Sequence, residues 1–212
     1  MMSNSPKTFY QRRGKRIFDA CASAALLVLT APIHALCVLA VKVDSPGPVY
    51  FHQTRVGRHG QEFRLHKLRT MLVGTEELMK NYPTSDRITR SGKMLRRLSL
   101  DEIPQLWNIF RGEMSFVGPR PTIPDQAVRY TDFQRRRLNV TPGLTGLAQI
   151  RYRNNATWSV RIKSDVEYTE KIRFLTDLGL ILRTVPAAFK GSGQLTDQTS
   201  AQVDDLGQGS TV

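Results

Sequence analysis

The chain is poor in cysteine and in acidic residues. Its two cysteines, Cys21 and Cys37, both lie in an apolar run with no histidine or acidic neighbour at ligand spacing, which excludes a disulfide framework and a zinc site. Eighteen Asp and Glu stand against 31 Lys and Arg, a net charge of +13. Such an excess selects polyanionic partners: phosphorylated substrates, an anionic membrane or nucleic acid. Composition alone leaves these open. With 40% hydrophobic and 23% charged residues, the chain is richer in apolar side chains than a disordered one. Its 212 residues make one domain, or one domain with an appendage.

The longest absence is of charge. From Ala20 to Val41, 22 residues pass without Asp, Glu, Lys or Arg. At ~1.5 Å per residue such a helix reaches across a hydrocarbon core of ~30 Å, and it outruns the ~7 to 15 apolar residues of a signal peptide. Lys7, Arg12, Arg13, Lys15 and Arg16 precede the run, and Lys42, Arg55, Arg58, Arg64, Lys67 and Arg69 follow it. The positive-inside rule therefore assigns both ends to the cytoplasm. Pro32, near the middle, removes a helical hydrogen bond and bends the axis. These features predict a re-entrant helix-break-helix, with a single-pass helix as the alternative.

The expected organisation is a basic N-terminus and membrane insert over 1–43, a cytoplasmic globular domain over 44–190 and a disordered tail over 191–212. The tail is dominated by Gly, Ser, Thr, Gln and Asp and has no Lys or Arg. The domain reads as α+β, helix-dominated. Val49 to Phe51 and Glu62 to Leu65 form a short β-hairpin around Gly57 and Gly60, and helices are expected at about 73–81, 91–98, 102–110, 124–138, 159–172 and 174–189.

Several short stretches could carry chemistry. Asp101 and Glu102 are adjacent carboxylates just before Pro104, a residue tolerated in the first helical turn. Neighbouring acids point to different sides of a helix, which suits two separate jobs, one on substrate and one on metal. The alternative is capping: Ser99 with Glu102 matches a capping box, and Asp101 could be a plain N-cap. Arg120 stands alone between Pro119 and Pro121 after Gly118, so a stiff loop presents one guanidinium suited to phosphate oxygens; a surface turn is the competing account. Arg55, Lys67 and Arg69 add cations near the apolar run, for phosphate or for anionic headgroups. Thr141 to Gly146 is a Pro-Gly turn that approaches ligand or another loop closely. Arg161 and Asp165 read as an ion pair on one helix face, Arg135 to Arg137 as the basic end of a helix, and the four histidines as incidental.

Taken in order, Lys15-Arg16-x-Phe18-Asp19, Ser45-x-Gly47-Pro48-Val49, Gln53-x-Arg55-x-Gly57, Lys67-x-Arg69-Thr70-Met71, Leu100-Asp101-Glu102-x-Pro104-Gln105, Asn108, Gly112-x-Met114-Ser115-x-Val117-Gly118-Pro119-Arg120-Pro121 and Pro142-Gly143-x-Thr145-Gly146 resemble the bacterial sugar transferase family. More narrowly, they resemble its small monotopic polyprenyl-phosphate phosphoglycosyltransferases. The match runs over roughly 12–190, and the ordered set is far more specific than any single member. The resemblance implies the minimal catalytic form, in the bacterial inner membrane with the 44–190 domain facing the cytoplasm. It implies transfer of a phosphosugar from a UDP-sugar to undecaprenyl phosphate with Mg²⁺, as the first membrane step of exopolysaccharide, O-antigen or glycoconjugate synthesis. By carry-over, Asp101 attacks the sugar-bearing phosphorus, Glu102 helps hold Mg²⁺ and Arg120 binds phosphate. Anionic lipids are expected partners, nucleic acid is not, and homodimerisation is left open. Two departures stand out. Ala31 replaces the serine often found before the breaking proline, and 151–158 replaces a Gly-Arg-Asn stretch, which leaves the sugar undetermined. The competing classes are a membrane-anchored nucleic-acid-binding protein, motivated by charge alone, and a non-catalytic scaffold, which the intact Asp101-Glu102 pair disfavours.

Overall fold

A computed structural model describes residues 8–74, 87–152, 156–189 and 205–206. The chain opens with a wide helical turn at Tyr10–Gly14 and continues directly into α1, Lys15–Asp44. Ala, Leu and Val dominate this 30-residue helix, and it stops where Ser45 turns extended ahead of Pro46. Pro32 lies inside the helix without ending it, so the expected break between two separate helices becomes one continuous, proline-containing helix. The Thr30 hydroxyl donates to the Leu26 carbonyl at 2.6 Å, the back-bonding that commonly accompanies a bend.

Along its length α1 lies on the rest of the domain. Near its start, Arg16 donates to the carbonyls of Ile109 at 2.9 Å and Phe110 at 2.5 Å, and the Phe18 ring meets those of Phe116 and Phe174 edge to face. At its end, Cys37 and Val41 are buried with Leu68 and Leu95, and the Asp44 carboxylate accepts from the Ser91 amide and hydroxyl, each at 2.8 Å. The opposite stripe, including Val28, Leu29, Leu36, Leu39 and Val43, is exposed and apolar.

The hairpin forms as expected and somewhat longer. β1, Tyr50–Val56, pairs antiparallel with β2, Glu62–Leu68, in a register that sets His52 opposite His66 and Phe51 opposite Lys67. α2, Arg90–Arg97, follows, with Thr89 capping its start through a bond from the Gly92 amide at 3.0 Å. A 3-10 turn, Leu100–Glu102, leads into α3, Gln105–Arg111, which lies along the open edge of β2. Asn108 ties the two together, accepting from the His66 amide at 3.1 Å and donating to the Arg64 carbonyl at 2.8 Å. Gly112 ends α3 in the left-handed region at φ 85°, with the Arg16 guanidinium packed where a side chain would stand.

Next come β3 (Ser115–Val117), α4 (Pro124–Ala127), α5 (Asp132–Arg135), β4 (Gly143–Thr145), α6 (Leu147–Tyr152), α7 (Trp158–Glu170) and α8 (Phe174–Phe189). The single helix expected over 124–138 is instead α4, α5 and a 3-10 turn at Arg136–Asn139. Thr131 interrupts it by starting a fresh capping box with Gln134. β3 and β4 pair in parallel, which three-residue strands do not announce in sequence. Here the Pro-Gly turn meets another loop: the Gly118 amide bonds the Thr145 carbonyl at 2.9 Å and the Gly143 amide the Pro119 carbonyl at 2.9 Å. A Cβ on Gly143 would fall inside contact distance of the Gly118 backbone.

The main core gathers Leu65, Ile109, Met114, Val117 and Tyr168 between β2, α3, β3 and α7. The helix expected at 73–81 falls almost wholly outside the described residues, as does most of the expected tail. Of the tail, Asp205 and Leu206 are described and packed: Leu206 is buried with Tyr130, Ile162 and Val166, and the Asp205 carboxylate accepts from the Ser159 amide at 3.0 Å near the start of α7.

Candidate active site

Asp101 sits in the 3-10 turn and is 2% exposed, with its Oδ1 buried and without a hydrogen-bond partner. Neither capping account holds. Ser99, in the left-handed region at φ 56°, makes no side-chain cap, and the residue at the head of α3 is Pro104. A carboxylate oxygen buried without a donor is costly unless something outside the chain completes it.

What surrounds it is cationic. Lys67, reaching across from β2, donates to Glu102 Oε1 at 2.6 Å, and Arg120 approaches the same oxygen at 3.6 Å. Burial raises the Asp101 carboxyl, the Lys67 charge opposes that, and the Glu102 charge reinforces it; the net direction is up. Burial acts on Glu102 in the same sense, but the Lys67 and Arg120 charges more than offset it and hold this acid well below the usual carboxylate range. Adjacent acids thus receive opposite shifts, the pattern expected where two carboxyls have different tasks.

Arg120 is held by its backbone. The Arg137 guanidinium donates to the Arg120 carbonyl at 2.7 Å and the Arg55 guanidinium to the Pro121 carbonyl at 3.1 Å, while the Val56 amide bonds Thr122 O at 2.8 Å. Two arginines therefore fix the loop that presents a third. Arg55 also donates to Gln53 at 2.6 Å, leaving its buried Nε unpartnered. Burial, and secondly the Arg120 charge, lowers Arg55 to about 10. Arg161 is lowered for the same two reasons, and it stacks on the Trp158 ring at 5.3 Å. A guanidinium that depresses two neighbours marks positive potential that a polyanion would relieve.

Structure and sequence reading part company at several positions. Arg69 is not brought to the dyad. Its terminal nitrogens donate to Pro46 O at 2.6 Å, Ser45 O at 2.8 Å and Ser45 Oγ at 2.9 Å, so it clamps the turn after α1. Arg161 does not pair with Asp165; Arg137 does, at 2.7 Å, with both side chains almost wholly buried. Arg137 is therefore no solvated helix end. It bonds Tyr130 Oη at 2.5 Å and sets the Arg120 loop, a role that a run of three arginines conceals. Gln105, 3% exposed and beside Glu102, was also missed, and its position after Pro104 is the only local hint. Three of the four histidines come together. His34 Nε2 lies 2.9 Å from Tyr50 Oη and the Nδ1 atoms of His52 and His66 are 2.9 Å apart, in one cavity.

A divalent cation fits the donors present. Among the described residues no three His, Cys, Asp or Glu cluster, and the acidic donors at this site are the Asp101 and Glu102 carboxylates. That suits an ion of the Mg²⁺ kind, which takes one or two carboxylates and fills its shell with substrate phosphate and water.

Comparison with known proteins agrees with the motif order. The family model described as bacterial sugar transferase matches residues 10–191. An uncharacterized sugar transferase, EpsL of Bacillus subtilis, is 39% identical over 89% of this chain and 94% of its own length. The UDP-glucose:undecaprenyl-phosphate glucose-1-phosphate transferase of Caulobacter vibrioides is 41% identical over 82% of this chain and 68% of its own. The exopolysaccharide production protein ExoY of Rhizobium meliloti is 36% identical over 84% and 87%. With a buried acidic dyad inside a ring of cations and a match along nearly its whole length, the chain belongs to the bacterial sugar transferase family and is a phosphoglycosyltransferase.

Proposed function

We propose that this enzyme moves a sugar 1-phosphate from a UDP-sugar to a polyprenyl phosphate, undecaprenyl phosphate being the acceptor named for its relatives. The observation that carries the reading is Asp101 Oδ1: a buried carboxylate oxygen without a partner, next to Lys67, Glu102 and Arg120. In the first step Asp101 Oδ1 forms a bond to the sugar-bearing phosphorus as the bond from that phosphorus to the bridging oxygen breaks. UMP leaves with the bridging oxygen, and an aspartyl-phosphosugar remains. In the second, an oxygen of the lipid phosphate bonds to the same phosphorus and the aspartate is released, giving a polyprenyl diphosphate sugar.

The chain's own groups supply positioning and charge. Arg120 would meet the diphosphate from a loop that Arg55 and Arg137 already fix, so little reorganisation is needed as charge shifts. Lys67 orients Glu102 and favours the ionised form of Asp101. Glu102 would also help hold Mg²⁺, which when bound neutralises the phosphate oxygens. We place α1 as re-entrant from the cytoplasmic face of the inner membrane. Supporting this, Arg16 at one end and Asp44 at the other bind the same domain, and the apolar stripe points away from it.

The test uses the detergent-solubilised enzyme with Mg²⁺, undecaprenyl phosphate and a panel of UDP-sugars, reading the nucleotide released. UMP that depends on Asp101 and on one sugar is expected. UDP, or full turnover by Asp101→Asn, would overturn the mechanism.

A further inference from the structure

A cavity of about 410 Å³ lies between α1 and the hairpin. Leu27, Ala31 and Ala35 of α1 form one wall, and His52 and His66 of the hairpin form another. Ile103, Pro104 and Trp107 close the third. Its size is that of a ligand site and its lining is overwhelmingly apolar. The polar tips within it face one another: His34 with Tyr50, and His52 with His66. Burial is the first cause lowering both His52 and His66, aided at His52 by the Arg64 charge and opposed at His66 by the Glu113 charge.

Resting on the reading above, we propose that this cavity seats the isoprenoid chain next to the acceptor phosphate, so that the lipid is recognised by its chain as well as by its headgroup. Three features select that occupant. The α1 wall belongs to the helix whose outer stripe, including Val28, Leu29 and Leu36, is apolar and exposed, so the cavity borders hydrocarbon. It adjoins the dyad along the chain. The segment that closes it, Ile103 and Pro104, directly follows Asp101 and Glu102, and α3 wraps the edge of β2, with Glu102 reaching Lys67 on one face of the strand and Trp107 lining the cavity with His66 on the other. The chain of a lipid whose phosphate is at the dyad would enter past Ile103 and Pro104. Finally, rigid walls of rings and proline suit a branched, kinked isoprenoid better than a straight acyl chain, which can settle equally well on the open stripe of α1.

The experiment fills the cavity and follows the two half-reactions separately. Ala31→Leu and Ala35→Phe are compared with the unaltered enzyme in detergent with Mg²⁺. We expect the UMP burst before lipid is added, and KM for the UDP-sugar, to stay the same, while KM for undecaprenyl phosphate rises at least tenfold. The unaltered enzyme should also favour farnesyl phosphate over dimethylallyl phosphate, and the filled variants should lose that preference. An unchanged lipid KM in a folded variant, or equal loss for both substrates, overturns the proposal. Binding is read independently of turnover through Trp107 fluorescence in a Trp158→Phe background, titrated with farnesyl phosphate and, as control, dodecyl phosphate. Saturable quenching by the isoprenoid that Ala35→Phe abolishes supports the seat even if every UDP-sugar proves silent. Equal response to dodecyl phosphate would reject it in favour of a general lipid contact.

Discussion

The Arg137–Asp165 pair gives the sharpest test of what holds the phosphate loop. Both side chains are almost fully buried, 2.7 Å apart, and Arg137 also bonds Tyr130 and the Arg120 carbonyl. Removing one member of such a pair leaves an uncompensated buried charge, a cost of about 3–5 kcal/mol. For a domain of this size each kcal/mol lowers Tm by about 2–4 °C, so Arg137→Leu and Asp165→Asn should each lose roughly 6–20 °C in a thermal melt in detergent or nanodiscs. Replacing both, Arg137→Met with Asp165→Leu, removes the charges together and should recover at least half of that loss. Catalytically the double variant should remain impaired, because the Arg120 carbonyl still lacks its donor. A single variant melting within 2 °C of the parent, or a double variant as unstable as the two losses added, would show that the pair is not the anchor described.

Proton chemistry at the dyad gives opposed shifts. On the proposed mechanism Asp101 attacks in its ionised form, so turnover should have an acid limb; Lys67→Met removes a charge that favours the anion and should move that limb to higher pH, whereas Glu102→Gln removes a repelling charge and should move it lower. Single-turnover UMP release across pH reads both, and movement in the same direction would refute the electrostatic account. Linkage has its own sign: Glu102 is depressed on folding, so its contribution to stability is present above the unfolded carboxyl range and is lost as pH falls toward the folded value. Arg69→Met should lower Tm, since three hydrogen bonds from a charged group vanish at about 1.5–3 kcal/mol each before relaxation. KM for the UDP-sugar should hold, and a tenfold rise would return Arg69 to the substrate site. Gly143→Ala should prevent recovery of folded enzyme, because the new methyl group meets the Gly118 backbone, while Gly60→Ala, with open space around it, should fold with a loss of about 1 kcal/mol. The yield of folded enzyme separates the two, and chemical denaturation measures the loss in Gly60→Ala.

The large features were legible because each rests on a local rule. Uninterrupted apolar residues specify α1, and alternation around Gly57 and Gly60 specifies the hairpin. What escaped depends on distant partners. Nothing near Arg137 says that Asp165, 28 positions on, will take it, and i to i+4 spacing favours Arg161 wrongly because Trp158 offers that guanidinium a ring. Arg69 sits in a cationic stretch like Lys67, but β2 ends at Leu68 between them, and the two reach different surroundings, one the Ser45 turn and one Glu102. The histidines looked incidental since none has a Cys or acidic companion at ligand spacing, and only the β1–β2 register together with α1 brings three of them into one cavity.

One consequence of how α1 is built concerns the way this enzyme comes into being. The same helix that carries the apolar stripe also supplies Phe18 and Leu27 to the main core and Cys37 and Val41 to a second. Anchor and scaffold are therefore one object, and trimming the first 43 residues would not release a soluble catalytic fragment but open two cores at once. The domain has to close around this helix to complete either core, so the apolar stripe is held in place by the same packing that builds the site.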